Sequence, residues 1–234
     1  MIRYCFFDLD GTLLPMDQDG FVRSYFGRLA ARLAPRGYDP KALVAAIWSG
    51  TKAMVKNDGS RTNEEVFWSD FAAHFGEQAR WDEPYFEEFY RTDFQEVRHD
   101  CGFDPRSAQV VRKLKDMGFR LVLATNPIFP AIATESRMAW AGLDKNDFEL
   151  YTTYENSRYC KPNPDYYRDI LARIGAEPEE CLMIGNDVTE DMVAETLGMK
   201  VFLLTDCLIN KENRDISRYP QGDLDALMDY IQTL

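Results

Sequence analysis

Cys5-Phe6-Phe7-Asp8-Leu9-Asp10-Gly11-Thr12-Leu13-Leu14 is an apolar strand that runs directly into two alternate carboxylates and a glycine turn. Side chains two apart on a strand face the same way, so Asp8 and Asp10 are brought together where the strand ends. Two like charges side by side are costly unless a cation lies between them or one is protonated. The pair therefore reads as a metal site, an acid/base pair, or both. The plain alternative is a turn cap, since Asp-Gly is a common turn dipeptide.

Outward from this strand, the C-terminal half alternates strand and helix. Asp104-Pro105 is an N-cap followed by proline at the first helical position, predicting a helix through Met117 that Gly118 stops. Phe119 to Ala124 reads as a short buried strand, Pro130 to Trp140 as a helix and Phe148 to Thr152 as a second strand. Asn163-Pro164 repeats the cap signature and opens a helix ending at Gly175. Cys181 to Ile184 and Val201 to Leu204 are further apolar strands with an amphipathic helix, Glu190 to Leu197, between them. Asp223 to Ile231 reads as a terminal helix. Strands separated by helices predict an α/β fold, a Rossmann-like parallel sheet with helices on both faces.

Residues 15–103 differ. They show no convincing strand, and their apolar residues fall at helical spacing: Phe21, Tyr25, Leu29 and Leu33 in one run, Val66, Phe67 and Phe71 in another. Thr62-Asn63-Glu64-Glu65 fits a capping box. The expected organisation is a discontinuous core, 1–14 plus 104–234, with a helical domain, 15–103, inserted after the first strand.

Composition narrows the function. The 234 residues are 45% hydrophobic, enough for a sizeable core, and the net charge is −12. A chain this acidic, with no basic stripe, repels a phosphate backbone, so nucleic acid is excluded as a ligand. No apolar run approaches the ~20 residues that span a bilayer, and no signal pattern opens the chain. Five dispersed cysteines without a CxxC pair read as reduced thiols, hence a cytoplasmic protein. With two histidines, zinc has little to bind. Oligomeric state is not written in the sequence.

Ligands of open parallel sheets bind beyond the carboxyl ends of the strands. Four candidate groups stand there: Asp8 and Asp10; Thr125 and Asn126, small polar groups able to bind an oxyanion; Lys161, just before a helix; and the acidic loop Gly185-Asn186-Asp187-Val188-Thr189-Glu190-Asp191. Singly, each has a dull reading as a turn, a solvated lysine or a helix N-terminus. Coincidence of all four in order is a poor explanation.

With these residues the chain resembles the haloacid dehalogenase-like hydrolase superfamily over essentially its whole length. Asp8-Leu9-Asp10-Gly11-Thr12 matches its DxDGT motif, Thr125 its second motif, Lys161 in Lys161-Pro162-Asn163-Pro164 its third, and Gly185 to Asp191 its acidic fourth. The helical insert sits where the C1-type cap of its phosphatases sits. The resemblance implies a phosphomonoester hydrolase acting on a small phosphorylated metabolite through an aspartyl-phosphate. Asp8 would be the nucleophile; Asp10 would protonate the leaving alkoxide and then activate water. Thr125 and Lys161 would hold the phosphoryl oxygens, within a binding set of Leu9, Asp10, Thr125, Asn126 and Lys161. Mg²⁺ would be held by Asp8, Asp10 and the acidic loop, since hard oxygen ligands suit it.

The loop departs from the family pattern, which has Asp directly after the glycine. Here that place is Asn186. Either Asn186 ligates through its amide oxygen, or the loop shifts and Asp187 takes over, the reading favoured here; Asp191 acts through water or caps the following helix. Arg61, between two predicted insert helices, is a candidate to pair with a substrate anion, or lies in a solvated turn. The related 2-haloacid dehalogenases need no acid two residues after the nucleophile, so Asp10 argues for phosphate chemistry. A phosphomutase of the β-phosphoglucomutase type and a non-catalytic metabolite-binding protein on the same scaffold are the alternatives.

Overall fold

Six strands pair in a computed structural model that describes residues 1–234: β1 (Tyr4–Phe7), β2 (Arg120–Leu123), β3 (Leu150–Tyr151), β4 (Cys181–Gly185), β5 (Lys200–Leu204) and β6 (Gln221–Gly222). They form one sheet of order β3-β2-β1-β4-β5-β6, and every pairing is parallel. Alternation sorts the core between two faces. Cys5, Phe7, Leu123 and Ile184 pack on α5 (Pro105–Asp116) and α8 (Leu224–Ile231). Tyr4, Phe6, Val122 and Met183 pack on α7 (Pro164–Ile174). Burial on both faces is why β1 reads as a continuous apolar run. Phe7 stands in register with Leu123 on one side and Ile184 on the other. The loops that follow β1, β2 and β4 therefore leave the sheet at one edge.

Between β1 and α5 the chain forms α1 (Gln18–Leu33), α2 (Pro40–Val55), α3 (Asn63–Phe75) and α4 (Glu83–Arg91), followed by a 3-10 stretch, Asp93–Asp100. Phe71, Phe89 and Phe94 are fully buried at their centre. The two connections to the sheet run side by side: the Gly102 N–H donates to the Pro15 carbonyl at 2.7 Å, and Met16 bridges Cys101. No helix is long and apolar enough to cross a membrane.

Two local expectations differ. Glu190 to Leu197 is not an α-helix: a turn leads into a 3-10 segment, Met192–Leu197. The reason is length, because Gly198, at φ +98°, ends the segment after six residues. The two-residue β6 carries no hydrophobic pattern, and the sequence did not reveal it.

The capping box at Thr62 is present, and it starts α3 on Asn63, which is wholly buried. Asn63 Nδ2 donates to the Pro127 carbonyl at 3.1 Å, its Oδ1 accepts from Asn57 Nδ2 at 2.9 Å, and its backbone N–H donates to Ser157 at 2.8 Å. One side chain thus ties α3 to the loop beyond β2. Asn63→Ala leaves buried partners unsatisfied, so urea unfolding should show a loss of about 1–3 kcal/mol; no change in the midpoint would refute this tie.

Candidate active site

Gly11 turns the chain immediately after the two acids. Its φ of +86° suits glycine, and a Cβ there would lie 2.4 Å from Asn186 Nδ2. The β1 and β4 loops can approach this closely only because the side chain is absent. Asp8 is the meeting point. Its Oδ1 accepts from Lys161 Nζ at 2.9 Å, and its Oδ2 from Thr12 Oγ1 at 3.2 Å. Lys161 is fully buried and also reaches Asp191 Oδ1 at 2.7 Å. Burial opposes the ammonium charge, but Asp191 and Asp8 outweigh it and hold the lysine pKa well above its ordinary value. The second Asp191 oxygen accepts the Asp187 N–H at 2.9 Å, so both of its oxygens are taken by protein donors.

Asp10 is answered by a residue that the sequence reading missed. Arg137, on α6 (Ala131–Trp140), is fully buried, pairs with Asp10 Oδ2, and has its guanidinium 4.4 Å from the Phe129 ring centroid. A faint signal exists in the sequence: Ala133, Arg137 and Ala141 repeat at four on an otherwise apolar helix face, where a charge needs a partner. Asp10 Oδ1 is buried with no hydrogen-bond partner. Burial raises the Asp10 pKa above the usual carboxylate value against the pull of Arg137, and Asp8 adds to the rise.

Asn186 and Asp187 face the site differently. Asn186 Nδ2 donates to the Cys207 carbonyl at 2.7 Å, and Oδ1 accepts from Thr12 Oγ1 at 3.0 Å. Thr12 therefore has one proton between Asp8 Oδ2 and Asn186 Oδ1, which converge on it. Asp187 Oδ1 instead caps the turn, accepting from the N–H groups of Thr189 and Glu190 at 2.7 and 2.9 Å. Glu190, read only as part of the acidic loop, accepts from Asn126 Nδ2 at 3.0 Å, and burial lifts its pKa to about 7. Thr125 is buried, with its carbonyl held by Thr152 at 2.6 Å and Tyr166 at 2.8 Å. The N–H groups of Leu9 and Asp10 make no hydrogen bond within the chain. Arg61 is exposed and does not line the cavity; its carbonyl accepts from Asn57 Nδ2.

Asp8, Asp10, Thr125, Asn126, Asn186, Asp187 and Asp191 share a cavity of about 330 Å³ that is roofed by α1 to α4. No three acidic, histidine or cysteine side chains form a ready-made metal cage; Lys161 pairs with Asp8 and Asp191, and Arg137 with Asp10. The donors that remain are Asp8 Oδ2, the unpartnered Asp10 Oδ1, Asn186 Oδ1 and the second Asp187 oxygen. All are oxygens, and no imidazole or thiolate lines the cavity. Such a set suits a hard divalent cation. Chemically, the arrangement offers a carboxylate aimed at the cavity, a fixed cation beside it and a second acid two residues on.

The model of the haloacid dehalogenase-like hydrolases matches residues 2–194. Glyceraldehyde 3-phosphate phosphatase of Methanothermobacter thermautotrophicus is 27% identical over 115 residues, 49% of this chain and 50% of that protein. The chain thus spans about half the length of this relative. Pyrophosphatase PpaX of Halalkalibacterium halodurans is 23% identical over 85% of this chain and 81% of its own. The 2-haloacid dehalogenase of Pseudomonas syringae pv. Tomato DC3000 superposes with a TM-score of 0.66 at 19% identity, covering 100% of this chain and 99% of that one; at this identity the likeness is one of fold.

The Arg137–Asp10 pair gives a test of the geometry. Removing one member of a buried pair leaves an uncompensated charge, so Arg137→Met should cost about 3–5 kcal/mol in urea unfolding. In an Asp10→Asn background the same change should cost much less. Equal losses in both backgrounds would show that the two residues are not coupled.

Proposed function

The chain belongs to the haloacid dehalogenase-like hydrolases, and from that premise we propose that it is a Mg²⁺-dependent phosphomonoester hydrolase acting on a small phosphorylated metabolite. The observation that carries the proposal is the Asp8 carboxylate, held by buried Lys161 at 2.9 Å on one oxygen, with Asp10 opening on the same cavity. An acid at the second place fits phosphate chemistry, in which an alkoxide must leave with a proton. In this reading 15–103 is a cap over a core of 1–14 and 104–234. The side-by-side crossings at Pro15 and Gly102 support that division.

Asp8 attacks phosphorus as the bond to the leaving oxygen breaks, giving an aspartyl-phosphate and an alcohol. Asp10 supplies the proton. Arg137 takes one of its oxygens and leaves Oδ1 free to carry that proton, and the pKa raised by burial favours the protonated form. Asp10 then takes a proton from the water that hydrolyses the intermediate, releasing phosphate and restoring Asp8. Lys161, Thr125 and the free N–H groups of Leu9 and Asp10 stabilise the equatorial oxygens. Asp8, the Asp10 backbone carbonyl and the acidic loop would hold Mg²⁺, which would supply positive charge to offset that of the nucleophile and the phosphoryl oxygens. We assign the loop's direct place to Asn186 Oδ1 rather than Asp187, because Asn186 Oδ1 shares the Thr12 proton with Asp8 while Asp187 caps the turn.

Asp8→Asn should abolish turnover of phosphomonoesters with an unchanged circular dichroism spectrum. Asp10→Asn should slow single-turnover cleavage of an alkyl phosphate by ~10²–10⁴-fold, and release of an acidic phenol from an aryl phosphate far less. Equal losses for both would mean that Asp10 is not the leaving-group acid. For the metal, Asn186→Ala should raise the Mg²⁺ concentration needed for half-maximal activity more than Asp187→Ala; the reverse order would return the direct place to Asp187.

A further inference from the structure

The roof of the cavity is unlike its floor. Charged side chains at the cavity all come from the sheet side: Asp8, Asp10, Asp187, Glu190, Asp191 and Lys211. Every lining residue contributed by 16–90 is uncharged. Most are apolar, and aromatic rings dominate, among them Phe21, Phe26, Trp48, Phe67, Trp68 and Phe86. The rings are fixed against one another: Phe67 meets Trp68 edge-on with centroids 5.4 Å apart, and Trp68 meets Phe86 in the same way at 5.4 Å. These contacts hold Phe67, Trp68 and Phe86 in place along the cavity wall.

The polar groups of this roof are neutral. The Tyr25 and Tyr90 hydroxyls lie 2.9 Å apart, and burial raises both pKa values, that of Tyr25 to about 12. Trp68 Nε1 is buried beside the Tyr154 hydroxyl without a hydrogen bond of good geometry. Behind Trp68, Phe86 and Tyr154, a second hollow is lined by Glu64, Glu83, Glu87 and Glu155, with Arg91 its one cation. A second anionic group on a substrate would meet no cation in the roof and a negative field beyond it.

Resting on the phosphatase reading above, we propose that the substrate is a phosphomonoester of an uncharged, apolar and preferably aromatic alcohol, whose ring sits among Phe26, Trp48, Phe67 and Trp68. A second anion, as in pyrophosphate or a phosphorylated carboxylic acid, would find no cation in the roof and only Lys211 on the sheet side, so such substrates are expected to be disfavoured.

The test compares kcat/KM of the Mg²⁺-loaded protein for 2-phenylethyl phosphate, ethyl phosphate, 2-phosphoglycolate and phosphocholine. The first two both release a primary alkoxide, so leaving-group chemistry does not separate them. The phenyl compound should be favoured at least about tenfold over ethyl phosphate, and over both charged substrates. Trp48 is 51% exposed, so Trp48→Ala spares the buried centre of the helices; it should bring the phenyl-to-ethyl ratio down severalfold. Equal rates for phenyl and ethyl phosphates, a ratio unmoved in Trp48→Ala, or preference for either charged substrate would overturn the assignment. In parallel, 2-phenylethanol is titrated into Asp8→Asn by tryptophan fluorescence, where saturable quenching weakened by Trp48→Ala is expected. If no phosphomonoester turns over but this binding is seen, the phosphatase reading fails and the aromatic site stands. If phosphomonoesters turn over without preference and the alcohol does not bind, the aromatic assignment fails and the phosphatase reading stands.

Discussion

A lysine ammonium with no access to water, held between Asp8 and Asp191 at 2.9 and 2.7 Å, is the contact on which the rest of the site depends. Burying a lone ammonium costs several kcal/mol, and two carboxylates in direct contact offset that cost. The dependence runs in both directions. Without Lys161, Asp8 and Asp191 would be left as two uncompensated carboxylates in a poorly solvated space, and one would have to protonate. Asp191 in turn accepts the Asp187 N–H, so the same cation fixes the loop beyond β4 and, through Asp8, the tip of β1. Gly185 makes room for this, because a Cβ there would lie 2.1 Å from Asp191 Oδ2.

Around that contact, each acid has one oxygen committed to a cation and another differently placed. Lys161 takes Asp8 Oδ1, while Thr12 touches Oδ2; Arg137 takes Asp10 Oδ2, while Oδ1 has no partner. The commitments fix orientation, which is what a site working by positioning and charge stabilisation requires. Asn186 fits the same pattern: its amide is oriented by the Cys207 carbonyl, and it brings an oxygen to the acids without a further negative charge.

The helices of residues 18–100 use one set of rings for two purposes. Phe67, Trp68 and Phe86 belong to the apolar cluster that holds these helices together, and they also wall the cavity. Stability and the shape of the binding space are therefore linked, and substitutions deep in this wall alter both. Residues at its solvent side, such as Trp48, are where the two separate.

The strand-and-helix alternation, the helical character of 15–103, the Thr62 capping box and the four loops at the sheet edge were all legible in the sequence. These features are local: short continuous apolar runs for strands, helical periodicity for the insert, and cap and turn chemistry at fixed offsets. The sixth strand was not, because two-residue pairing leaves almost no periodic signal, and the amphipathic pattern of Glu190 to Leu197 did not tell a 3-10 segment from an α-helix. What only the tertiary structure decided is which side chains meet. Arg137 lies 127 residues from Asp10, and the apolar helix face around it hints that the guanidinium turns inward without naming the acid it meets. Asn186 and Asp187 are neighbours of similar size, and only the approach of Thr12 and Cys207 distinguishes them. Arg61 has suitable chemistry, yet it is exposed and is not among the residues that line the cavity. A sequence fixes the propensities of each segment, but contact between distant side chains depends on how helices and loops pack, and that is set by the whole core at once.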